Sequence, residues 1–181
     1  YFIFSLICFQ GFIGWYMVSS GLVDRVDVSH FRLSVHLLLA FIILSLIFWN
    51  YLFYKQIIVP TRKIHNGLLI MFMMLLFFQI AVGALVSGMD GAKIYNTWPL
   101  MGSSYFPDDN SYLNLINIYV FNDPSLVQFI HRNLAYLILL YYIVIIIKVF
   151  KKNLSDFFGI TKVIGLLLLV QIILGIFTLL S

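Results

Sequence analysis

Long runs of apolar residues, separated by shorter polar segments, dominate the chain. Five of these runs are long enough to cross the ~30 Å hydrocarbon core of a bilayer as helices. They cover residues 1–19, 33–53, 67–88, 126–149 and 159–180. The runs are uniformly apolar and lack the period-two alternation of membrane β-strands, which excludes a closed barrel. The pattern predicts an all-α integral membrane protein built as a transmembrane helix bundle.

The composition agrees with this interpretation. Of the 181 residues, 62% are hydrophobic and 10% are charged, whereas an average soluble domain carries about 25% charged residues. Such a composition excludes a soluble enzyme, a nucleic-acid-binding module and a disordered chain. The single cysteine, Cys8, lies in an apolar run and can form no disulfide within the chain. The chain begins within apolar sequence, so we expect its true start to lie upstream.

The distribution of basic residues predicts an orientation. If the first run crosses outward, seven basic residues lie on the inner side and four on the outer side. The inner set is Lys55, Arg62, Lys63, Lys148, Lys151, Lys152 and Lys162, and the outer set is Arg25, Arg32, Lys93 and Arg132. The positive-inside rule favours this arrangement, in which odd-numbered spans run outward.

The longest connection, residues 89–125, lies on the outer side in this orientation. It carries the aromatic residues Tyr95, Trp98, Tyr105 and Phe106. Connections of this length are usually functional or linkers. We expect the segment to lie on the membrane surface and to cover part of the bundle, while an aromatic belt with no ligand beneath it explains the composition equally well. Residues 112–121 are expected to form a short interfacial helix, and residues 122–125 to cap the fourth span.

A spacing of glutamine and glycine recurs in the odd-numbered runs. Gln10 and Gln171 each precede a glycine by four residues, and Gln79 does so in a looser match. Residues at positions i and i+4 share one helix face, where glycine permits close helix approach and the amide can bond across helices. Generic helix packing is the alternative explanation. The match of the first and fifth runs also predicts a sixth span, similar to the second, after Ser181.

Two histidines lie at matched depth near the outer ends of their runs. His36 is in the second run, four residues after Arg32, and His131 is in the fourth run, next to Arg132. Ionisable groups within membrane spans are functional candidates by default. Haem iron takes an axial imidazole nitrogen, and its macrocycle fits an apolar cleft between helices. We therefore predict that His36 and His131 are axial ligands of haem iron, with two structural histidines as the alternative.

The remaining ionisable residues have lesser expected roles. His30 lies in an outer loop and is expected to be solvated, while His65 is expected to be an interfacial or capping residue at the inner end of the third span. The sequence contains no glutamate, and its aspartates lie in the predicted loops. No buried general base is therefore nominated.

Several segments resemble the haem A synthase family. They are residues 10–22, 28–37, 83–90, 95–102 and 128–132. The most specific is residues 95–101, Tyr-Asn-Thr-Trp-Pro-Leu-Met, which is similar to the mitochondrial and alphaproteobacterial branch. The resemblance covers essentially the whole chain and aligns it with the third to seventh of the family's eight helices.

The resemblance implies a fold of eight helices in two four-helix halves. Residues 1–54 would be the last two helices of the N-terminal half, residues 55–66 an inner-side linker, and residues 67–181 the first three helices of the C-terminal half. It also implies an oxidation of a methyl group of haem O to a formyl group, which gives haem A for terminal oxidases, with haem b as cofactor.

The same resemblance implies roles for four residues. His36, with Arg32, would hold the substrate haem, and His131, with Arg132, would hold haem b. The partner histidines and the catalytic glutamate are expected outside this sequence, so we expect a fragment that is inactive alone. Expected partners are membrane lipid, haem O and a haem O synthase. The expected location is a bacterial inner membrane, with the mitochondrial inner membrane as the alternative.

Two other functions remain open on the sequence. A membrane b-type cytochrome that only transfers electrons would hold one haem between His36 and His131. The glutamine repeat argues against it, because the repeat predicts a separate histidine-bearing helix for each half. A small haem-free transporter is disfavoured because no span carries a mid-bilayer charge or a helix broken at the midplane.

Overall fold

Residues 1–19, 28–56 and 64–181 are described by the computed structural model. Within these ranges the chain forms five α-helices and no β-strand. They are α1 (Phe2–Val18), α2 (His30–Tyr54), α3 (Asn66–Gly88), α4 (Pro124–Lys151) and α5 (Phe158–Leu180). The predicted all-α bundle is confirmed, and the largest shift of a helix boundary is the start of α2 at His30 rather than Leu33. Most of the expected linker, together with Arg25, Arg62 and Lys63, lies outside the described residues.

Four of the described helices, α2 to α5, are long and apolar enough to cross a membrane. The helix α1 is apolar but shorter, with 17 residues. Large side chains on the outer faces are exposed, such as Trp49 (71%) and Phe177 (67%). A soluble protein rarely exposes apolar surface on this scale, so these faces suit an apolar environment such as a lipid bilayer. The protein is therefore a multi-pass membrane protein.

Neighbouring helices in the chain pack against one another, and the described core lies mainly between α3 and α4. Its buried side chains include Val82, Leu85, Val127, Leu134 and Ile138. The Ser34 hydroxyl on α2 donates a hydrogen bond to the Ala81 carbonyl oxygen on α3 at 2.9 Å. A Cβ atom on Gly88 would lie 2.9 Å from the Cα atom of His30, so the outer ends of α2 and α3 approach too closely for a larger residue.

The segment between α3 and α4 contains short 3₁₀ turns at Gly91–Lys93, Tyr112–Ile116 and Val120–Asn122. The prediction of one interfacial helix over residues 112–121 is wrong. Asn117 between the last two turns is extended, and its Oδ1 atom accepts a hydrogen bond from the Tyr119 backbone N–H at 3.0 Å. An asparagine side chain that bonds the backbone locally competes with helical hydrogen bonding.

The predicted start of the fourth span is confirmed. Asp123 is the N-cap of α4, and its Oδ1 atom accepts a hydrogen bond from the Leu126 backbone N–H at 3.0 Å. Pro124 occupies the first turn, where its missing N–H costs nothing. This cap fixes where α4 begins and therefore the depth of His131, two turns further along the helix.

Candidate functional site

His36 on α2 lies against the neighbouring helix α1. The Nε2 atom of Gln10 is 3.3 Å from the Nε2 atom of His36 and also donates to the His36 carbonyl oxygen at 3.0 Å. A Cβ atom on Gly14 would lie 3.1 Å from the Cε1 atom of His36. Because Gly14 has no side chain, the imidazole of His36 can lie directly against the backbone of α1.

The helices α3 and α4 repeat this arrangement. The Nε2 atom of Gln79 is 3.3 Å from the Nε2 atom of His131. A Cβ atom on Gly83 would lie 3.0 Å from the Cε1 atom of His131. We call each set a Gln–Gly–His unit: Gln10, Gly14 and His36 in the first, and Gln79, Gly83 and His131 in the second.

The units give the glutamine repeat a specific meaning. The spacing predicted that the amide bonds across helices, and in both units its partner is a histidine of the next helix. The sequence ranks Gln171 as the better match to Gln10, whereas the structure shows that Gln79 shares its geometry. Gln171 lies exposed on α5.

Each unit contains buried polar atoms that lack a hydrogen-bond partner among the described residues. They are the Nδ1 atoms of His36 and His131 and the Oε1 atoms of Gln10 and Gln79. Buried polar atoms in proteins are nearly always bonded, so these four atoms are open to a further partner. Imidazoles between apolar helices are the donors that haem iron takes as axial ligands. The residues present therefore fit a haem group at each unit.

Arg32 joins the outer ends of α1 and α2. Its Nη1 atom donates to the Tyr16 carbonyl oxygen at 2.8 Å, and its Cζ atom lies 3.6 Å from the centroid of the Tyr16 ring. A guanidinium over an aromatic face is held by a cation–π interaction. Arg32 thus lies one helical turn from His36, on the outer side of the first unit.

Arg132 bonds the connection between α3 and α4 instead of another helix. We call this connection, residues 89–123, the outer segment. Its Nη2 atom donates to the Tyr95 carbonyl oxygen at 2.8 Å, and its Nη1 atom donates to that of Thr97 at 2.9 Å and, more weakly, to that of Leu100 at 3.4 Å. Within the described part of the chain, no carboxylate forms an ion pair with Arg132 or with Arg32. No described carboxylate therefore balances either guanidinium charge, and each arginine lies close to a histidine in the sequence.

Arg132 belongs to a polar stripe on one face of α4. The stripe consists of Ser125, Gln128, Arg132, Asn133 and Tyr136. Four of them recur at spacings of three or four residues, which puts them on one side of the helix, and Asn133 follows Arg132 directly. Gln128 donates to the Tyr95 carbonyl oxygen at 2.8 Å, and the Trp98 indole N–H donates to the Tyr136 hydroxyl at 2.8 Å. The stripe holds the outer segment over the outer end of α4. This stripe was not predicted from the sequence, although polar residues at helical spacing within an apolar run are a usable signal.

Asp109 connects the outer segment to the first turn of α4. Its Oδ2 atom accepts from the Ser125 hydroxyl at 2.7 Å, and its Oδ1 atom accepts from the Tyr95 hydroxyl at 3.0 Å. Burial alone would raise the pKa of Asp109, but the hydrogen bonds from Ser125, Tyr95 and Asn110 outweigh it and lower the pKa. Burial and the neighbouring Asp109 raise the pKa of Tyr95, so the tyrosine keeps its proton and remains a donor.

The other two histidines lie outside the units. His30 was expected to be solvated in a loop, but it is the first residue of α2, partly buried, with its Nε2 atom 3.3 Å from the Asn122 Oδ1 atom. This contact arises because the close crossing of α2 and α3 brings the start of α2 under the outer segment. His65 is the N-cap residue of α3, as expected from its position, but its side chain makes no capping hydrogen bond.

The fold and the site define the class. It is a multi-pass membrane helix bundle in which each of two consecutive helix pairs packs a partly buried histidine against a glutamine and a glycine. The family model COX15-CtaA, described as cytochrome oxidase assembly protein, matches residues 1–181. The chain therefore belongs to this family, which confirms the resemblance found in the sequence.

Curated relatives agree with this assignment. A Heme A synthase of Pelagibacter ubique (strain HTCC1062) is 50% identical over 181 residues, covering 100% of this chain and 53% of that protein. A Heme A synthase of Rickettsia prowazekii (strain Madrid E) is 36% identical over 178 residues, covering 96% of this chain and 52% of that protein. A third, from Rickettsia bellii (strain RML369-C), is 38% identical over 187 residues, with coverages of 97% and 53%. The chain spans about half the length of these relatives. No solved structure matches the chain.

Proposed function

We propose that this chain is part of a haem A synthase, in which a methyl group of haem O is oxidised to a formyl group. The observation that carries the proposal is the duplication of the Gln–Gly–His unit. Each unit has its own histidine, on α2 or on α4, and its own glutamine and glycine on the preceding helix. A reaction on one haem that uses a second haem as cofactor needs two such places.

His36 is the proposed ligand of the substrate haem, and His131 the proposed ligand of haem b. When bound, haem b would supply a redox-active iron. Converting a methyl group to a formyl group removes four electrons and adds one oxygen atom, so the reaction also needs an external oxidant and a source of oxygen. The chain's own residues bind and orient the two groups. The apolar helices exclude water from the imidazoles, and the glycines leave the imidazoles room against the neighbouring helix.

The two arginines supply positive charge beside the histidines. Arg32 lies four residues before His36 and Arg132 lies one residue after His131. Haem propionates are anionic and pair with guanidinium groups, which present several N–H donors in a planar fork. We propose that Arg32 and Arg132 hold propionates at the outer membrane surface while their bonds to Tyr16 and Tyr95 keep them oriented.

A b-type cytochrome with one haem shared by His36 and His131 is the alternative function. The units argue against it, because each imidazole is packed on the glycine of its own preceding helix.

The proposed setting is a bacterial inner membrane, since the relatives described above are bacterial proteins. The mitochondrial inner membrane is the alternative. The proposed partners are lipid, haem O and the haem O synthase that must supply it.

The activity test follows formyl-haem in pigment extracted from membranes supplied with haem O. We expect the full-length protein that contains this chain to produce formyl-haem and its His36→Ala variant to produce none. His65→Ala, which alters a histidine outside both units, is the matched control and should retain the product. Formyl-haem production by His36→Ala at the wild-type level would contradict the assignment of the substrate site.

A further inference from the structure

The turn that joins α4 to α5 carries a cluster of lysines. We call this part of the chain, residues 148–162, the inner hairpin. Its lysines are Lys148, Lys151, Lys152 and Lys162. All four side chains are exposed, and among the described residues none of them forms an ion pair. Because Asp156 is the one acidic residue in the inner hairpin, a large excess of positive charge remains there.

Contacts between the two helices fix the backbone that carries these lysines. The rings of Phe150 and Phe158 stack with 4.7 Å between their centroids. The Tyr142 hydroxyl on α4 donates a hydrogen bond to the Thr161 carbonyl oxygen on α5. Leu154, in the turn itself, is buried in the same core as Tyr142. A surface that is already ordered loses less conformational freedom when it binds a ligand.

Exposed apolar side chains continue from the lysines along both helices. Val144 lies one helical turn before Lys148 on the same face of α4, and Leu166 lies one turn after Lys162 on α5. Both apolar side chains are exposed. A lysine within the end of an apolar helix extends its ammonium group to the membrane surface along its apolar stem. The inner hairpin therefore combines ammonium groups at the surface with an apolar face beside them.

We propose that the inner hairpin binds the headgroup of an anionic phospholipid, whose acyl chains lie along the exposed apolar faces of α4 and α5. Each lysine near a membrane surface strengthens binding to anionic lipid by about fivefold. A soluble phosphate would meet the same ammonium groups but would leave the apolar faces uncovered, which favours lipid as the occupant. The proposal goes beyond the proposed function and does not depend on either histidine.

The test measures lipid binding by native mass spectrometry of the full-length protein that contains this chain, purified in detergent. Phosphatidylglycerol is the anionic probe, and phosphatidylcholine, which has no net charge, is the reference. We expect phosphatidylglycerol to bind more tightly. The double variant Lys151→Gln/Lys152→Gln should lose about fivefold of this preference for each lysine removed. Lys151→Arg/Lys152→Arg keeps both charges and should retain the preference.

Lys55→Gln/Lys93→Gln is the matched control, because it removes the same charge from two exposed lysines outside the inner hairpin. This variant should bind phosphatidylglycerol as the wild-type protein does. Equal binding of the two lipids by the wild-type protein overturns the proposal. The same loss in the control variant also overturns it, because the net charge of the protein would then select the lipid.

Glycerol 3-phosphate distinguishes a lipid site from a site for soluble phosphate. It has a phosphate group but no acyl chains, so it should not displace phosphatidylglycerol at equal concentration. Displacement would show a soluble-phosphate site and overturn the proposal. Formyl-haem does not enter this readout, so a failure of lipid binding leaves the proposed function standing, and the reverse also holds.

Discussion

The Nη2 atom of Arg132 donates a hydrogen bond to the Tyr95 carbonyl oxygen at 2.8 Å, across 37 positions of the chain. This bond ties the outer segment to the helix that carries His131. The side chain next to the candidate haem ligand therefore also decides where the outer segment lies.

Replacing Arg132 should loosen the outer segment. Hydrogen bonds made by a charged donor contribute about 1.5–3 kcal/mol, so Arg132→Gln should speed amide exchange about 10- to 100-fold. The amides to follow are those of Met101, Gly102 and Ser103, whose hydrogen bonds lie within the segment. Arg32→Gln is the control, since Arg32 bonds Tyr16 instead. Unchanged exchange in Arg132→Gln would contradict this role.

The outer segment should lose its folded structure at acid pH. Hydrogen bonds from the Ser103 backbone N–H and hydroxyl lower the pKa of Asp108, and those around Asp109 lower its pKa despite burial. A carboxyl group whose pKa is lower in the folded than in the unfolded chain stabilises the fold at pH values above its unfolded-state pKa of about 3.9. This stabilisation disappears as the pH falls through the folded-state pKa. Trp98 fluorescence is the readout, with Trp15 and Trp49 replaced by phenylalanine. Asp109→Asn should weaken the pH dependence below about pH 4, and an unaltered acid transition in that variant would refute the explanation.

Adding a methyl group at Gly83 should displace His131. Its Cβ atom would lie 3.0 Å from the His131 Cε1 atom, and overpacking of this kind costs about 1–3 kcal/mol. We expect Gly83→Ala to lose most of its haem b absorption and Gly14→Ala to disturb the His36 site in the same way. Gly11→Ala is the matched control, since nothing lies within 4 Å of its added Cβ atom. That variant should keep its haem and gain up to about 1 kcal/mol of helix stability. Equal haem content in the Gly83 and Gly11 variants would show that the close contact is unimportant.

Residues 111–121, which we call the tip of the outer segment, should contact lipid. Leu113, Ile116 and Ile118 are 78%, 84% and 87% exposed, and no charged residue lies between positions 111 and 121. Apolar residues with neighbouring tyrosines are typical of the membrane interface. A fluorophore on Ile116→Cys, in a Cys8→Ala background, should be quenched by brominated lipid. The same label on Ser111→Cys should be quenched less, and equal quenching at both positions would place the tip away from the bilayer.

The helices could be predicted from the sequence because bilayer thickness imposes a length on each apolar run. Asp123 and Pro124 added a local signal that located the start of α4. The partners of His36 and His131 could not be predicted, because they depend on the rotation and depth of neighbouring helices. Gln79 is an example, since its sequence match to Gln10 is loose while its distance to a histidine is the same.

The hydrogen bonds that hold the outer segment could not be predicted from the sequence, for a different reason. Arg132 was assigned to haem propionates from its position beside a histidine, and that role remains a prediction. The carbonyl groups of Tyr95, Thr97 and Leu100 that it bonds in the structure carry no sequence signature, because every residue has a carbonyl. The expected helix at residues 112–121 does not form, because the side chain of Asn117 accepts a hydrogen bond from the nearby Tyr119 backbone N–H.

The proposed function requires two separate haem sites, one at His36 and one at His131. They can be distinguished by the haem-to-protein ratio and the absorption spectrum of the purified full-length protein in His36→Ala, His131→Ala and the control His30→Ala. We expect each of the first two variants to lose a different, spectrally distinct fraction of the haem and His30→Ala to lose none. Loss of one and the same haem in both variants would instead show a single shared haem and rule out two sites.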